Sequence, residues 1–207
     1  MANEYLLDTP EIRTFIREVE AVRNKASSVT QLLDSLKPHF SALMADQNWL
    51  PDAFRQPAEN SGMGGGIATW LLYRAGDGSL SFFALVVPPG SSTPVHDHLA
   101  WGLVGLYVGE QYEEIFELVN TAARANGKRT TIRLASSNHL RPGTFYELIP
   151  PEGDIHRVTT TGSEPSISLH LLGNDTGCVW RHNFNLETGA ATPFRSGYTN
   201  RPCQDEP

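Results

Sequence analysis

The chain has 207 residues, 40% of them apolar, with a formal net charge of −7 and a pI near 5.5. That length suits one well-cored domain with a small appendage, and the acidic balance, with no basic run interleaved with aromatics, argues against nucleic acid as a partner. The longest apolar runs, such as Leu80 to Pro89, fall far short of a membrane span.

The N-terminus, Met-Ala-Asn-Glu-Tyr, lacks the basic start and apolar core of a secretion signal. A cytoplasmic protein is therefore expected, with Cys178 and Cys203 as reduced thiols. Residues 9 to 45 read as helical. Thr9 suits the cap, Pro10 the first turn and Glu11 the helix dipole. Ile12, Phe15, Ile16, Val19 and Val22 then mark one buried stripe. Ser28 opens a second helix carrying Leu32, Leu33, Leu36, Phe40 and Leu43, which Pro38 is expected to kink or split. Residues 1–50 form a helical cap in this reading, and 51–207 a second unit within one domain.

A connector runs through Pro51, Pro57 and the glycines Gly62 to Gly66. It lacks the Lys-Ser/Thr ending of a phosphate-binding loop. From Ile67 onward the pattern changes to short β-rich runs: Ile67–Tyr73, Leu80–Val87, Gly102–Val108, Tyr112–Val119, Thr130–Leu134, Gly143–Ile149, Ile155–Thr160 and Ser166–Leu172. Turn signals such as Gly76-Asp-Gly78, Asn126-Gly127 and Pro142-Gly143 separate them. Many short strands at this spacing predict a mainly β fold, an antiparallel barrel or jelly roll with the helical segment attached.

Between two of these runs lies Thr93-Pro-Val-His96-Asp-His98. In an extended strand, residues two apart share a face, so His96 and His98 project together and Asp97 turns away to brace the loop. Neutral imidazoles are common ligands for transition metals. The spacing Gly90-x5-His96-x-His98-x3-Gly102-x6-Gly109 resembles the first cupin motif. Pro151-x-Gly153-x-x-His156 resembles the second and supplies a third histidine. Neighbouring strands of a small barrel can aim three such rings into one lumen. In most cupins the residue four places after the second histidine is a glutamate ligand; here it is Gly102.

That glycine narrows the resemblance. The chain is similar to the thiol dioxygenases of the cysteine dioxygenase family, most of all to the bacterial branch that includes 3-mercaptopropionate and mercaptosuccinate dioxygenases. The stretches that carry this are His96-Asp-His98-Leu-Ala-Trp-Gly, Gly153-Asp-Ile-His156, Ser168-Leu-His170 and Thr192-Pro-Phe-Arg-Ser-Gly-Tyr198. The resemblance implies a cupin double-stranded β-helix that binds Fe(2+) through His96, His98 and His156. It also implies a small carboxylated thiol and O2 as the reacting partners, with a sulfinate as product. Arg74 falls where the family's carboxylate-binding arginine is expected. Ser168 and His170 match the first two members of a Ser–His–Tyr relay beside the iron. Leu172 stands in place of the tyrosine, with Tyr73, Tyr107 and Tyr146 as other possible sources of a hydroxyl. His39, His139 and His182 read as structural or exposed. Two further readings stay open: a three-histidine cupin that cleaves a carbon–carbon bond of a diketone or aromatic, and a non-catalytic cupin that binds a metal or small ligand.

Overall fold

A computed structural model describes residues 2–59, 62–119 and 131–203. The Thr9 hydroxyl accepts from the Ile12 amide, and helix α1 then runs Pro10–Arg23, burying Ile12, Phe15, Ile16 and Val19 on one stripe. Ser28 caps α2 (Val29–Ala45) by accepting from the Gln31 amide. Pro38 does not split this helix. It lies on the exposed side, so the Asp34 carbonyl that loses its partner faces water and the turn survives. Met44, rather than Leu43, is the fully buried residue of the last turn. Among the described residues no helix is long and apolar enough to cross a membrane.

Strands β1 (Glu4–Tyr5), β2 (Ala68–Arg74), β3 (Ser81–Val87), β5 (Gly102–Val108), β8 (Phe145–Leu148) and β10 (Ser166–Leu172) form one antiparallel sheet in the order β1-β2-β3-β10-β5-β8. Strands β4 (Val95–His96), β6 (Gln111–Leu118), β7 (Ile132–Leu140), β9 (Ile155–Thr160), β11 (Arg181–Phe184) and β12 (Ala191–Phe194) form the other, ordered β12-β11-β4-β9-β6-β7. The two antiparallel sheets together make a double-stranded β-helix. Crossovers such as β3 to β10 and β4 to β9 interleave the two halves of the chain, so residues far apart in sequence meet on facing sheets.

The first sheet is buried on both faces. Leu169 and Leu171 of β10 pack with Leu72, Phe82 and Leu103 beneath the helices, in the same core as Phe15, Leu36 and Phe40. The opposite face gives Leu71, Phe83, Leu85, Val104 and Leu172, which meet Val158 and Phe194 of the second sheet inside the barrel. Two-sided burial explains why β3 is almost wholly apolar.

The second sheet differs from expectation at its edge. The stretch Ser136-Ser-Asn-His139, which falls between two of the expected strands, belongs to β7, which pairs with β6 from Gln111↔Leu140 to Leu118↔Ile132. It is the last strand of the sheet among the described residues, and an exposed edge accommodates the polar Ser136, Ser137, Asn138 and His139. The expected turn at Asn126-Gly127 and the expected strand start at Thr130 lie outside the described residues. The short strands β11 and β12 were not marked by any apolar run.

The two cysteines also depart from expectation. Cys178 and Cys203 form a disulfide rather than two free thiols. The chain after Phe194 returns along the open edge of β2: the Thr199 amide donates to the Thr69 carbonyl, and the Asn200 side chain pairs with the amide and carbonyl of Leu71. Just before this it crosses the loop after β10, where the Gly197 amide donates to the Gly177 carbonyl. Gly177 has no room for a side chain, since a Cβ there would lie 2.4 Å from the Tyr198 ring. This crossing brings Cys203 to Cys178, a proximity that a separation of 25 residues does not announce.

Candidate metal centre

His96 ends β4 and pairs directly with His156 on β9. His98 lies just beyond, where the chain turns through Leu99 at a φ of 55°. That conformation costs a non-glycine residue about 1–2 kcal/mol. Asp154 holds it, one carboxylate oxygen accepting from the His98 amide at 3.0 Å and the other from the Leu99 amide at 3.2 Å. The three rings meet with centroids 4.7–5.0 Å apart, and one nitrogen from each lies within 4.8 Å of the others. All three residues are buried.

Each ring is held from behind through Nδ1. His96 Nδ1 bonds the Pro94 carbonyl at 2.8 Å, His98 Nδ1 the Asp154 carbonyl at 3.2 Å, and His156 Nδ1 the Glu113 carboxylate at 3.0 Å. With acceptors behind them, the Nδ1 atoms carry the protons and the Nε2 lone pairs converge. Burial pushes His96 well below its usual pKa, with the Arg181 charge and the other two rings adding to it; burial also lowers His98, against the pull of Asp154. Both rings are therefore neutral near pH 7, as ligation requires. Three imidazole nitrogens converging in a buried pocket fit a first-row transition ion.

Asp97 turns away from the cluster and bonds both the amide and Nδ1 of His182, at 2.7 and 2.8 Å. His139 stacks beside Tyr112 at the edge of the second sheet. His39 lies on α2, away from the barrel lumen.

Ser168 and His170 project from β10 into the lumen, with Ser168 Oγ 2.9 Å from His170 Nε2. The His170 ring lies flat on Phe83 at 4.7 Å and its centroid is 6.4 Å from that of His98. Its Nδ1 is buried without a hydrogen-bond partner, and burial, with the neighbouring His98, His156 and Arg181, holds the ring neutral by lowering its pKa strongly. Leu172 shares this face and sits opposite Gly102. A Cβ on Gly102 would fall 2.3 Å from Leu172 Cδ2 and 2.5 Å from the Leu171 carbonyl. The two departures from the cupin and thiol dioxygenase patterns are thus one packing arrangement: the leucine occupies the space that a side chain at 102 would need.

Arg74 is not presented to the lumen as an open fork. Its guanidinium bonds Glu4 at 2.6 Å and Asp175 at 3.1 Å, and these carboxylates outweigh the cost of burial to raise its pKa. Arg201 shares Glu4. Arg74 therefore ties β1, β2 and the loop after β10 together. Sequence reading passed over a different cation, Arg181 of β11. It is 4% exposed and stands two residues from Asn183, the cross-strand partner of His96, hence on the same face of the sheet. Its three nitrogens donate to the Thr176 carbonyl, the Asp97 carbonyl and Ser196 Oγ at 2.8–3.0 Å, and it lies over the Phe194 ring at 4.7 Å. None of these partners is a carboxylate. Burial brings its pKa down to about 10, which leaves it charged at neutral pH.

None of the three candidate tyrosines puts a free hydroxyl at the cluster. The Tyr73 ring packs on the helix side of the first sheet, the Tyr107 hydroxyl donates to the Asp46 carbonyl, and the Tyr146 hydroxyl lies 3.2 Å from His156 Nδ1, behind the ligand ring.

No family model matches the chain. Several solved structures resemble it at low identity. An uncharacterised protein from Klebsiella pneumoniae with a double-stranded β-helix domain is 16% identical, with a TM-score of 0.41 over 61% of this chain and 89% of that one. A Cupin_2 domain of an XRE family transcriptional regulator from Enterobacter cloacae is 17% identical, with a TM-score of 0.35 over 51% and 94%. An oxalate oxidase is 17% identical, with a TM-score of 0.35 over 47% of this chain; the match spans less than half, 43%, of that chain.

Proposed function

We propose that the protein is a non-haem Fe(II) thiol dioxygenase that adds both atoms of O2 to the sulfur of a small carboxylated thiol, giving a sulfinate. The observation that carries this is the convergence, in one barrel lumen, of three ligating imidazoles, the Ser168–His170 pair and the buried Arg181 guanidinium. His96, His98 and His156 would hold the ion, which supplies, when bound, the place where thiolate and dioxygen meet and exchange electrons. The electrons lost by sulfur equal those gained by dioxygen, so no external reductant is needed, and the thiol proton is released.

The remaining roles belong to the chain itself. Arg181, which has no carboxylate partner among the described residues, takes the substrate carboxylate and so replaces Arg74 in that role. A guanidinium already fixed by three acceptors is pre-organised and loses little entropy on binding. His170, with Nε2–H donating to Ser168, offers Nδ1 as an acceptor for a proton or hydrogen bond from the substrate. Phe83 prevents the ring from swinging away. Leu172, Val104 and Phe194 exclude water around the sulfur. Oxygen uptake by the iron-loaded protein tests the reading: a mercapto-acid should consume one O2 per thiol, and a thiol without a carboxylate should react far more slowly. Uptake no faster than that of free iron, or a disulfide as the product, would overturn it.

A further inference from the structure

Three imidazole ligands bring no carboxylate of their own to a divalent ion inside a barrel that also buries the Arg181 guanidinium. Such an assembly of positive charge in a poorly solvated interior is costly unless carboxylates stand close by. Three do. Asp97 is committed to the amide and Nδ1 of His182. Asp154 lies behind His98, with its carbonyl and both carboxylate oxygens committed to the His98–Leu99 turn. Glu113 is different. It is 1% exposed, it projects inward from β6, and its carboxylate meets a ligand ring directly, Oε1 lying 3.0 Å from His156 Nδ1. Asn138 donates to Oε2 at 3.3 Å from the edge strand, and the Tyr146 hydroxyl completes the group. Burial at so dry a position serves no purpose of solubility, and among the described residues Glu113 makes no ion pair with a lysine or arginine.

We propose that Glu113 is a positioning residue of the metal centre. By accepting the Nδ1–H of His156 it orients that ring, gives it imidazolate character and places near the ion the negative charge that a three-imidazole site lacks. The carboxylate acts through the ring instead of by coordination. Tyr146 moderates it: its hydroxyl lies 3.2 Å from the same Nδ1 and competes with Glu113 for His156.

The inference rests on the three-histidine metal site and not on the identity of the substrate. Its test is Co(II) affinity, read from the visible absorption of the cobalt-loaded protein, together with the potential of the bound iron. Glu113→Gln keeps size and an acceptor but removes the charge. It should weaken Co(II) binding about ten- to hundredfold, the usual cost of losing such a partner, and raise the iron potential. Glu113→Asp should recover part of both. Tyr146→Phe should act in the opposite direction and lower the potential, because it leaves His156 Nδ1 to the carboxylate alone. That sign cannot come from general damage to the fold, and it keeps the test alive should Glu113→Gln not fold. Wild-type affinity and potential in Glu113→Gln, or an unchanged or raised potential in Tyr146→Phe, would overturn the proposal. Normal Co(II) binding by Glu113→Gln beside intact thiol oxidation removes this inference and leaves the dioxygenase reading. The expected loss in a protein that oxidises no thiol does the reverse.

Discussion

Arg181 gives the sharpest test of how the substrate is held. Its guanidinium is fixed by Thr176, Asp97 and Ser196 and has no carboxylate partner among the described residues. A carboxylate bound to it gains charge-assisted hydrogen bonds, worth on the order of 1.5–3 kcal/mol. At about 1.4 kcal/mol per factor of ten, their loss corresponds to roughly ten- to hundredfold in KM. Arg181→Lys keeps the charge but loses the planar fork, so KM for a mercapto-acid should rise by about tenfold. Arg181→Met removes the charge and should abolish the preference for the acid over its carboxamide. The same changes disturb three internal hydrogen bonds, so a loss of about 1–3 kcal/mol of stability is expected, and melting must be recorded with the kinetics. Steady-state oxygen uptake with the acid and the amide separates the effects. Arg74→Lys, by contrast, should lower stability by disturbing the Glu4 and Asp175 pairs and leave the acid preference intact. The reasoning fails if Arg181→Met still prefers the acid, or if the preference follows Arg74.

His156→Ala should remove most bound metal while leaving the barrel folded, because two imidazoles make a weak site; full retention by metal analysis would remove it from the ligand set. Leu172→Tyr must fit a phenol over Gly102, where space is already filled. A cost of roughly 1–3 kcal/mol is expected, with larger thiols turned over more slowly than a simple mercapto-acid; an unchanged profile across thiol sizes would show that position 172 does not bound the pocket. Cys203→Ser opens a 25-residue loop and should cost about 3 kcal/mol by chain entropy, seen as a lower Tm without added reductant; an unaltered Tm would mean that the cross-link contributes nothing.

The fold and the ligand histidines were legible because their signals are local. Period-3.6 stripes with Thr9 and Ser28 as caps define the helices, turn glycines punctuate the strands, and the His-x-His spacing needs only the strand period. What escaped depends on register and on long-range pairing. Glu113 lies in the polar run Tyr112-Glu113-Glu114, and only the pairing of Ile115 with His156 reveals which of the two glutamates faces inward. Arg181 follows the exposed Trp180 and precedes His182, with no apolar alternation to mark its strand; its place beside His96 comes from β11 pairing with β4 across the whole domain. The ion pairs of Arg74 were hidden for a related reason. Its neutralising partners Glu4 and Asp175 are distant in sequence, one in a two-residue strand and one in a loop. Asp154 was visible within Gly153-Asp-Ile-His156, but its clamp on the Leu99 turn required the turn itself.

The central claim is that both oxygens of O2 end on one sulfur. It is tested most directly by incubating the iron-loaded protein with a mercapto-acid under 18O2 and weighing the product by mass spectrometry. The account predicts a sulfinate carrying two labelled oxygens, with none from water. A sulfinate with one labelled oxygen, a disulfide, or a cleaved carbon skeleton would contradict it.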